Sequence, residues 1–237
     1  MADSAGMQDT PIHKRGAGVG FVYETLRNEI VELKLKPGSA MDEVQLSARF
    51  AMSRTPIREA MVRLLSEGLL VTLPNRATIV AQIDFLNLPH FFDALTLMYR
   101  VTTRLAAANH DADAMKAIEA RQADFVAAVA RRDALAMIAT NRDFHLEIAR
   151  AGGNAYYTDM FTRLLDEGRR ILRLYYSSFN DMLPRDYVEE HEGLIAAIGR
   201  RAVDEADGLA AAHARQIIGH IQTAVSADAR VNAEIAL

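Results

Sequence analysis

The sequence predicts a mainly α fold, with an N-terminal winged helix-turn-helix followed by an all-α bundle of about six helices. Two observations carry this. Apolar residues recur at helical spacing through most of the 237 residues. Four of the six prolines (Pro11, Pro37, Pro56, Pro74) crowd into the first third, so short elements there give way to long ones after about residue 82.

Residues 1–19 are polar and rich in Gly and Ala, and read as a disordered tail. A first helix is predicted over 21–33, with Val22, Leu26, Ile30 and Leu33 on one face, stopped by Lys36-Pro37-Gly38. Asp42 is placed to cap a second helix, with Gln45 as its capping-box partner and Leu46 and Phe50 facing inward. After the short turn Ala51-Met52-Ser53, Thr55 is read as the cap of a third helix with Pro56 at its first position. Ile57, Ala60, Met61, Leu64 and Leu65 line its apolar face, and Gly68 ends it. Two short β-like runs, 69–73 and 78–82, flank Pro74-Asn75-Arg76-Ala77 as a hairpin. Six helices then follow near 88–110, 112–131, 133–151, 154–178, 184–200 and 203–226, with Gly152-Gly153 as a stop and Asn154 as a new cap. The domains expected are 20–82 and 83–237.

Composition removes several functions. The chain has no cysteine, which excludes disulfides, thiolate metal sites and cysteine nucleophiles. No apolar run approaches the roughly 20 residues of a spanning helix, and the first 20 residues lack the apolar core of a signal peptide. The expectation is a soluble, cytoplasmic chain with no membrane partner. The net charge of −4 is uneven: residues 1–80 hold ten Lys and Arg against nine Asp and Glu, and the rest hold 17 against 22. Any nucleic-acid face in the first part must therefore gather its cations on one side.

The third helix does gather them. Ser53 and Thr55 offer hydroxyls, Arg54 and Arg58 offer guanidinium forks, and the helix N-terminus adds its positive dipole. Arginine pairs bidentately with guanine in the major groove. At the hairpin tip, Asn75 and Arg76 are placed for a minor-groove or phosphate contact. Charges alone would equally make a solvated helix face; the helix, helix, turn, helix, hairpin order favours a DNA reader.

Three of the seven histidines fall on apolar faces of separate helices. His145 shares a face with Met137, Asn141, Phe144 and Ile148; His191 with Tyr187, Leu194, Ile195 and Ile198; His213 with Ala206, Leu209 and Ile217. A single inward histidine is usually a hydrogen-bonded core residue, but three converging imidazoles form a nitrogen donor set for a divalent metal. His220, two turns past His213, competes for the third place.

Residues 20–82 resemble the N-terminal domain of GntR-family bacterial transcription regulators. The resemblance runs through Val22-Tyr23-Glu24-Thr25-Leu26-Arg27, Leu35-Lys36-Pro37-Gly38, Ser53-Arg54-Thr55-Pro56-Ile57-Arg58-Glu59-Ala60, Arg63-Leu64 and Glu67-Gly68-Leu69. The helical remainder resembles the FadR-type, or FCD, effector domain, so that the likeness covers about residues 20–226. It implies operator contacts by Arg54, Thr55, Arg58 and the wing tip Asn75-Arg76. It also implies a metal set of Asn141, His145, His191 and His213, with zinc the default and nickel or manganese as alternatives. Three positions depart from the pattern. Val44 stands where a cation is common, Ala51 stands at a turn position that is often glycine, and no glycine follows Arg76. Each non-glycine turn costs on the order of 1 kcal/mol. Asn141 replaces the commoner aspartate, which implies weaker metal binding and a stronger pull on an anionic effector.

The resulting expectation is a homodimeric repressor on a palindromic operator of double-stranded DNA, controlled by a small carboxylate bound near the metal. Tyr99, Arg100 and Arg173 are the candidate effector contacts. Two other classes remain open. One is a metal-dependent enzyme using the three-histidine site, although Glu189, Glu190 and Glu192 lie mostly off the face of His191. The other is a helical interaction module with structural histidines.

Overall fold

The computed structural model describes residues 17–178 and 186–234. It divides into two compact units: Gln82 closes the first and Ile83 opens the second, with residues 31–33 grouped with the second.

In the first unit, α1 (Ala17–Val31), α2 (Glu43–Phe50) and α3 (Arg54–Ser66) precede a hairpin of β1 (Leu70–Thr72) and β2 (Thr78–Val80). This is a winged helix-turn-helix. The core forms from Val22, Leu26 and Ile30 on α1 and Ile57, Ala60, Met61 and Leu64 on α3. Asp42 caps α2 as expected, accepting from the backbone N–H groups of Val44 and Gln45, both at 2.8 Å. The middle of α1 is latched to the C-terminal end of α3 by Tyr23, whose hydroxyl donates to Glu67 Oε1 at 2.6 Å while Arg63 stacks on its ring. Burial, and then the Glu67 carboxylate, push the Tyr23 phenol up to about 12.

Several boundaries differ from expectation, those of α1 and α3 among them. Helix α1 starts at Ala17, inside the expected tail. The rest of the expected tail lies outside the described residues. At the other end α1 stops at Val31, and Leu33 lies beyond it in a left-handed conformation. Helix α3 begins at Arg54 with Ser53, not Thr55, as its cap residue, so Pro56 is the third helical residue. Proline still costs nothing there, because N–H groups of the first turn have no partner within a helix.

The hairpin pairs Leu70 with Val80, Val71 with Ile79 and Thr72 with Thr78. A third edge comes from the α1–α2 connection: Gly38 N–H donates to Val80 O, Val80 N–H to Ser39 O and Met41 N–H to Thr78 O. Nothing in the side-chain pattern of Ser39-Ala40 announces this pairing. Gly38 is required there by its φ of +82°; an added Cβ would also stand 2.8 Å from Gln82 Nε2, the end of a flexible side chain that can move aside. Ala51 (φ 51°) and Arg76 (φ 66°) adopt left-handed conformations without being glycine.

The second unit opens with a short 3₁₀ turn (Phe85–Asn87) followed by six helices: α4 (Leu88–Asn109), α5 (Ala112–Arg131), α6 (Ala134–Ala151), α7 (Ala155–Ser178), α8 (Asp186–Gly199) and α9 (Val203–Glu234). Pro184, in the expected start of the fifth bundle helix, lies outside the described residues. Asp111, Asp133 and Asn154 cap α5, α6 and α7 through their side-chain oxygens. Helix α4 is central, packing against α6, α7, α8 and α9. Gly152 allows the end of α6 to meet it, since a Cβ there would lie 2.9 Å from Leu105 Cβ. Arg201 closes the end of α4 by donating to the carbonyls of Ala108 and His110, both at 2.6 Å. No helix among the described residues is long and apolar enough to cross a membrane.

Gly38→Ala is expected to lower stability by about 1–2 kcal/mol through backbone strain alone, measured by urea denaturation. Adding Gln82→Ala should recover little of it. Full recovery in the double variant would place the cost in the side-chain clash instead.

Candidate functional site

Two sites emerge, one in each unit. In the first, Ser53, Arg54, Thr55 and Arg58 are all exposed along the first turns of α3, and Asn75 and Arg76 are exposed at the wing tip. Arg58 is not waiting with an empty fork: its Nε and Nη2 donate to Glu43 Oε1 and Oε2 at 3.0 and 2.7 Å. That pairing, together with the charge of Arg54, holds the Glu43 carboxyl below its ordinary range, and the carboxylate in turn raises Arg58. The pair lies in solvent, where ion pairs exchange partners readily. Val44, beside Glu43 on α2, is 53% exposed and offers no charge to a phosphate. Asn75 Oδ1 accepts from Ala77 N–H at 3.1 Å, which builds the wing turn and projects Arg76 outward.

In the second unit His145 on α6, His191 on α8 and His213 on α9 are buried to 1% exposure or less. Each brings a ring nitrogen within 4.8 Å of the other two. His145 Nε2 and His213 Nε2 are 3.1 Å apart. His191 Nε2 is buried and has no hydrogen-bond partner among the described residues. The outer nitrogens are engaged: His191 Nδ1 with Gln122 Oε1 at 2.9 Å, and His213 Nδ1 with Glu190 Oε2 at 2.7 Å. Tyr99 sets its ring edge-on to His145 and His213, and Phe144 stacks on His191 at 4.1 Å. His220 is not part of the cluster. Tyr187, read on the face of His191, lies outside the residues whose side chains are described.

Loss of hydration holds His145 and His191 well below the ordinary histidine value of 6.5, and the neighbouring imidazoles push the same way. Neutral imidazole is the metal-binding form. A divalent metal fits this set on the structure's own terms. An orphaned nitrogen points at two others, outer nitrogens are hydrogen-bonded as those of ligating histidines usually are, and two nitrogens bound at roughly 2.0–2.1 Å to one ion would stand about 3 Å apart.

Beside the histidines lies a narrow cavity of about 20 Å³, lined by Tyr99, Asn141, Arg142 and Arg169 among apolar residues of α4, α6, α7 and α9. Asn141, one turn before His145, is half-buried on that wall. Burial raises the Tyr99 phenol, so it stays a proton donor. The other two candidate effector contacts, Arg100 and Arg173, do not line this cavity. Arg100 is exposed and paired with Asp207 at 2.8 and 2.9 Å, because one residue past inward-facing Tyr99 the helix has turned about 100°. Arg173 is half-buried and does not line the cavity; Arg169, one turn earlier on the same face of α7, does. Arg142 is the arginine sequence reasoning missed. It donates to both oxygens of Asp166 and to Asp143, and Arg169 Nη1 lies 3.9 Å from Asp166. Its one signal was adjacency to Asn141.

Comparison with known proteins agrees with both halves. Residues 19–80 match the family of bacterial regulatory proteins called gntR, and residues 91–216 match the FCD domain. The chain belongs to the GntR family of regulators, in the group that carries an FCD domain. The Escherichia coli K12 transcriptional repressor RspR is 38% identical over 63 residues, 27% of this chain and 28% of its own. Thus the chain spans only a little over a quarter of that relative's length. The E. coli repressor GlaR is 26% identical over 183 residues, covering 74% of this chain and 83% of its own. Among solved structures, E. coli McbR/YncC shares the fold with a TM-score of 0.76 at 22% identity, over 87% of this chain and 97% of that one.

The two depressed histidines make metal-free stability depend on pH. Unfolded, they take up protons below about 6.5; folded, they do not, so acid favours unfolding. Stability should be flat in this respect above pH 6.5 and then fall with a limiting slope of about 2.7 kcal/mol per pH unit for two groups. Urea midpoints of chelator-treated protein from pH 7.5 to 5 test this. A slope no smaller in a His145→Gln/His191→Gln variant would assign the acid sensitivity elsewhere.

Proposed function

We propose that this protein is a transcriptional repressor, working in the cytoplasm as a homodimer on a palindromic operator. Residues 20–82 read the DNA, and residues 83–237 hold a divalent metal and a small carboxylate effector. The observation that carries the DNA reading is the exposed first turns of α3, where Ser53, Arg54, Thr55 and Arg58 surround a helix N-terminus. Two such helices in a dimer suit half-sites about one helical turn apart, roughly 34–36 Å. On binding, Arg58 exchanges Glu43 for a phosphate or a guanine edge, since all three accept the same bidentate fork. The names of RspR and GlaR favour repression.

Zinc is the metal we propose, with nickel and manganese as alternatives, held by His145, His191 and His213 with Asn141 alongside. When bound it supplies a positive centre for an anionic ligand. Tyr99 donates a hydrogen bond to that ligand, and Arg142 and Arg169 neutralise its charge. A cavity of about 20 Å³ holds about one water. An organic acid therefore binds only a form in which the helices around it have moved apart. That preference between two forms is what a ligand needs in order to shift an equilibrium. A metal-dependent enzyme is disfavoured, because the relatives above carry the names of regulators and not of enzymes.

Arg54→Ala and Arg58→Ala should each weaken binding to the upstream region of the protein's own gene by about 1–3 kcal/mol, read by gel shift, with folding intact. Unchanged affinity in both variants would remove the assignment of α3. Calorimetry with a panel of small carboxylates should show heat for one or more of them with metal bound, and little after chelation or in Arg169→Ala. Equal heats with and without metal would detach the effector from the metal.

A further inference from the structure

The hydrogen bonds behind the three imidazoles are unequal, and the inequality assigns roles to two residues outside the ligand set. Gln122 on α5 donates through Nε2 to the carbonyl of Val188 at 3.2 Å, which leaves Oε1 to accept from His191 Nδ1 at 2.9 Å. That arrangement fixes the His191 proton on Nδ1 and leaves the lone pair on Nε2, the buried atom with no partner among the described residues. Glu190 on α8 does the same for His213 with a carboxylate, accepting from Nδ1 at 2.7 Å, so that the Nε2 lone pair faces His145 at 3.1 Å. An ionised carboxylate only accepts, so the tautomer follows. One imidazole is thus backed by a neutral amide and another by an anion.

We propose that Glu190 and Gln122 are positioning residues of the metal site, and that Glu190 supplies the negative charge that the amide of Asn141 does not. The proposal rests on the metal reading above. Three imidazoles and an amide leave a divalent ion its full charge within a bundle core. Glu190, behind His213, reduces that charge from outside the ligand set and holds the orientation of the His213 ring. Its side chain is 24% exposed, so it carries its charge at the edge of the core without full loss of hydration. Gln122 adds no charge and acts through orientation alone.

The experiment is zinc competition against a chromophoric chelator, with the full chain and five variants: Glu190→Gln, Glu190→Asp, Gln122→Leu, Asn141→Asp and Asn141→Asp/Glu190→Gln. Thermal melts of the metal-free forms report folding. Glu190→Gln should weaken zinc roughly 10–100-fold, as loss of such partners does elsewhere, while Glu190→Asp retains part of the affinity. Gln122→Leu should cost less than Glu190→Gln. The loss from Glu190→Gln should shrink in the Asn141→Asp background, where a carboxylate is already present. An equal loss in both backgrounds overturns the charge role, and unchanged affinity in Glu190→Gln and Gln122→Leu overturns the positioning role. Failure of the unaltered chain to bind zinc, nickel or manganese would instead overturn the metal reading itself.

Discussion

Burying three imidazoles at the middle of an apolar bundle is the constraint on which the second unit depends. Each ring gives up hydration, and that loss holds His145 and His191 neutral. A neutral ring still carries one N–H and one lone pair that need direction. For His191 and His213, the structure uses the outer edge of each ring for hydrogen bonds to Gln122 and Glu190, which leaves the inner nitrogens converging. The aromatic rings of Tyr99 and Phe144 fill the flanks. Helix α4 must be central for this to work, because it brings Tyr99 between the helices that carry His145 and His213.

The first unit solves a different problem: presenting cations while staying close to neutral overall. Arg63 is turned onto Tyr23, and Arg49 pairs with Glu29, which ties α2 back to α1. Arg58 is held by the Glu43 carboxylate at the surface, within reach of solvent. Basic residues in this unit thus divide between fastening the three helices together and facing outward along α3 and the wing.

Much of the fold was legible because its signals are local. Asp42 and Asn154 cap helices at the positions where short polar side chains precede apolar runs, and the inward histidines follow from 3.6-residue spacing. What was not legible depended on other chain segments. The third edge of the wing pairs Ser39 and Met41 with β2 through backbone atoms, which leave no trace in side-chain pattern. Arg100 lies off the cavity wall because adjacency to an inward tyrosine says nothing of direction, and one residue along a helix points elsewhere. Arg142 was overlooked because its partner Asp166 lies 24 residues away on another helix. The role of Glu190 was missed because its own face differs from that of His191, whereas the ring it supports belongs to α9.

The tightness of the space beside Tyr99 has a kinetic meaning. A molecule larger than about one water finds no vacancy there, so its entry would be paced by how often the surrounding rods separate and not by collision frequency. Release is throttled by the same gate. On the effector reading proposed above, occupancy would follow the sustained supply of a ligand and not its brief fluctuations.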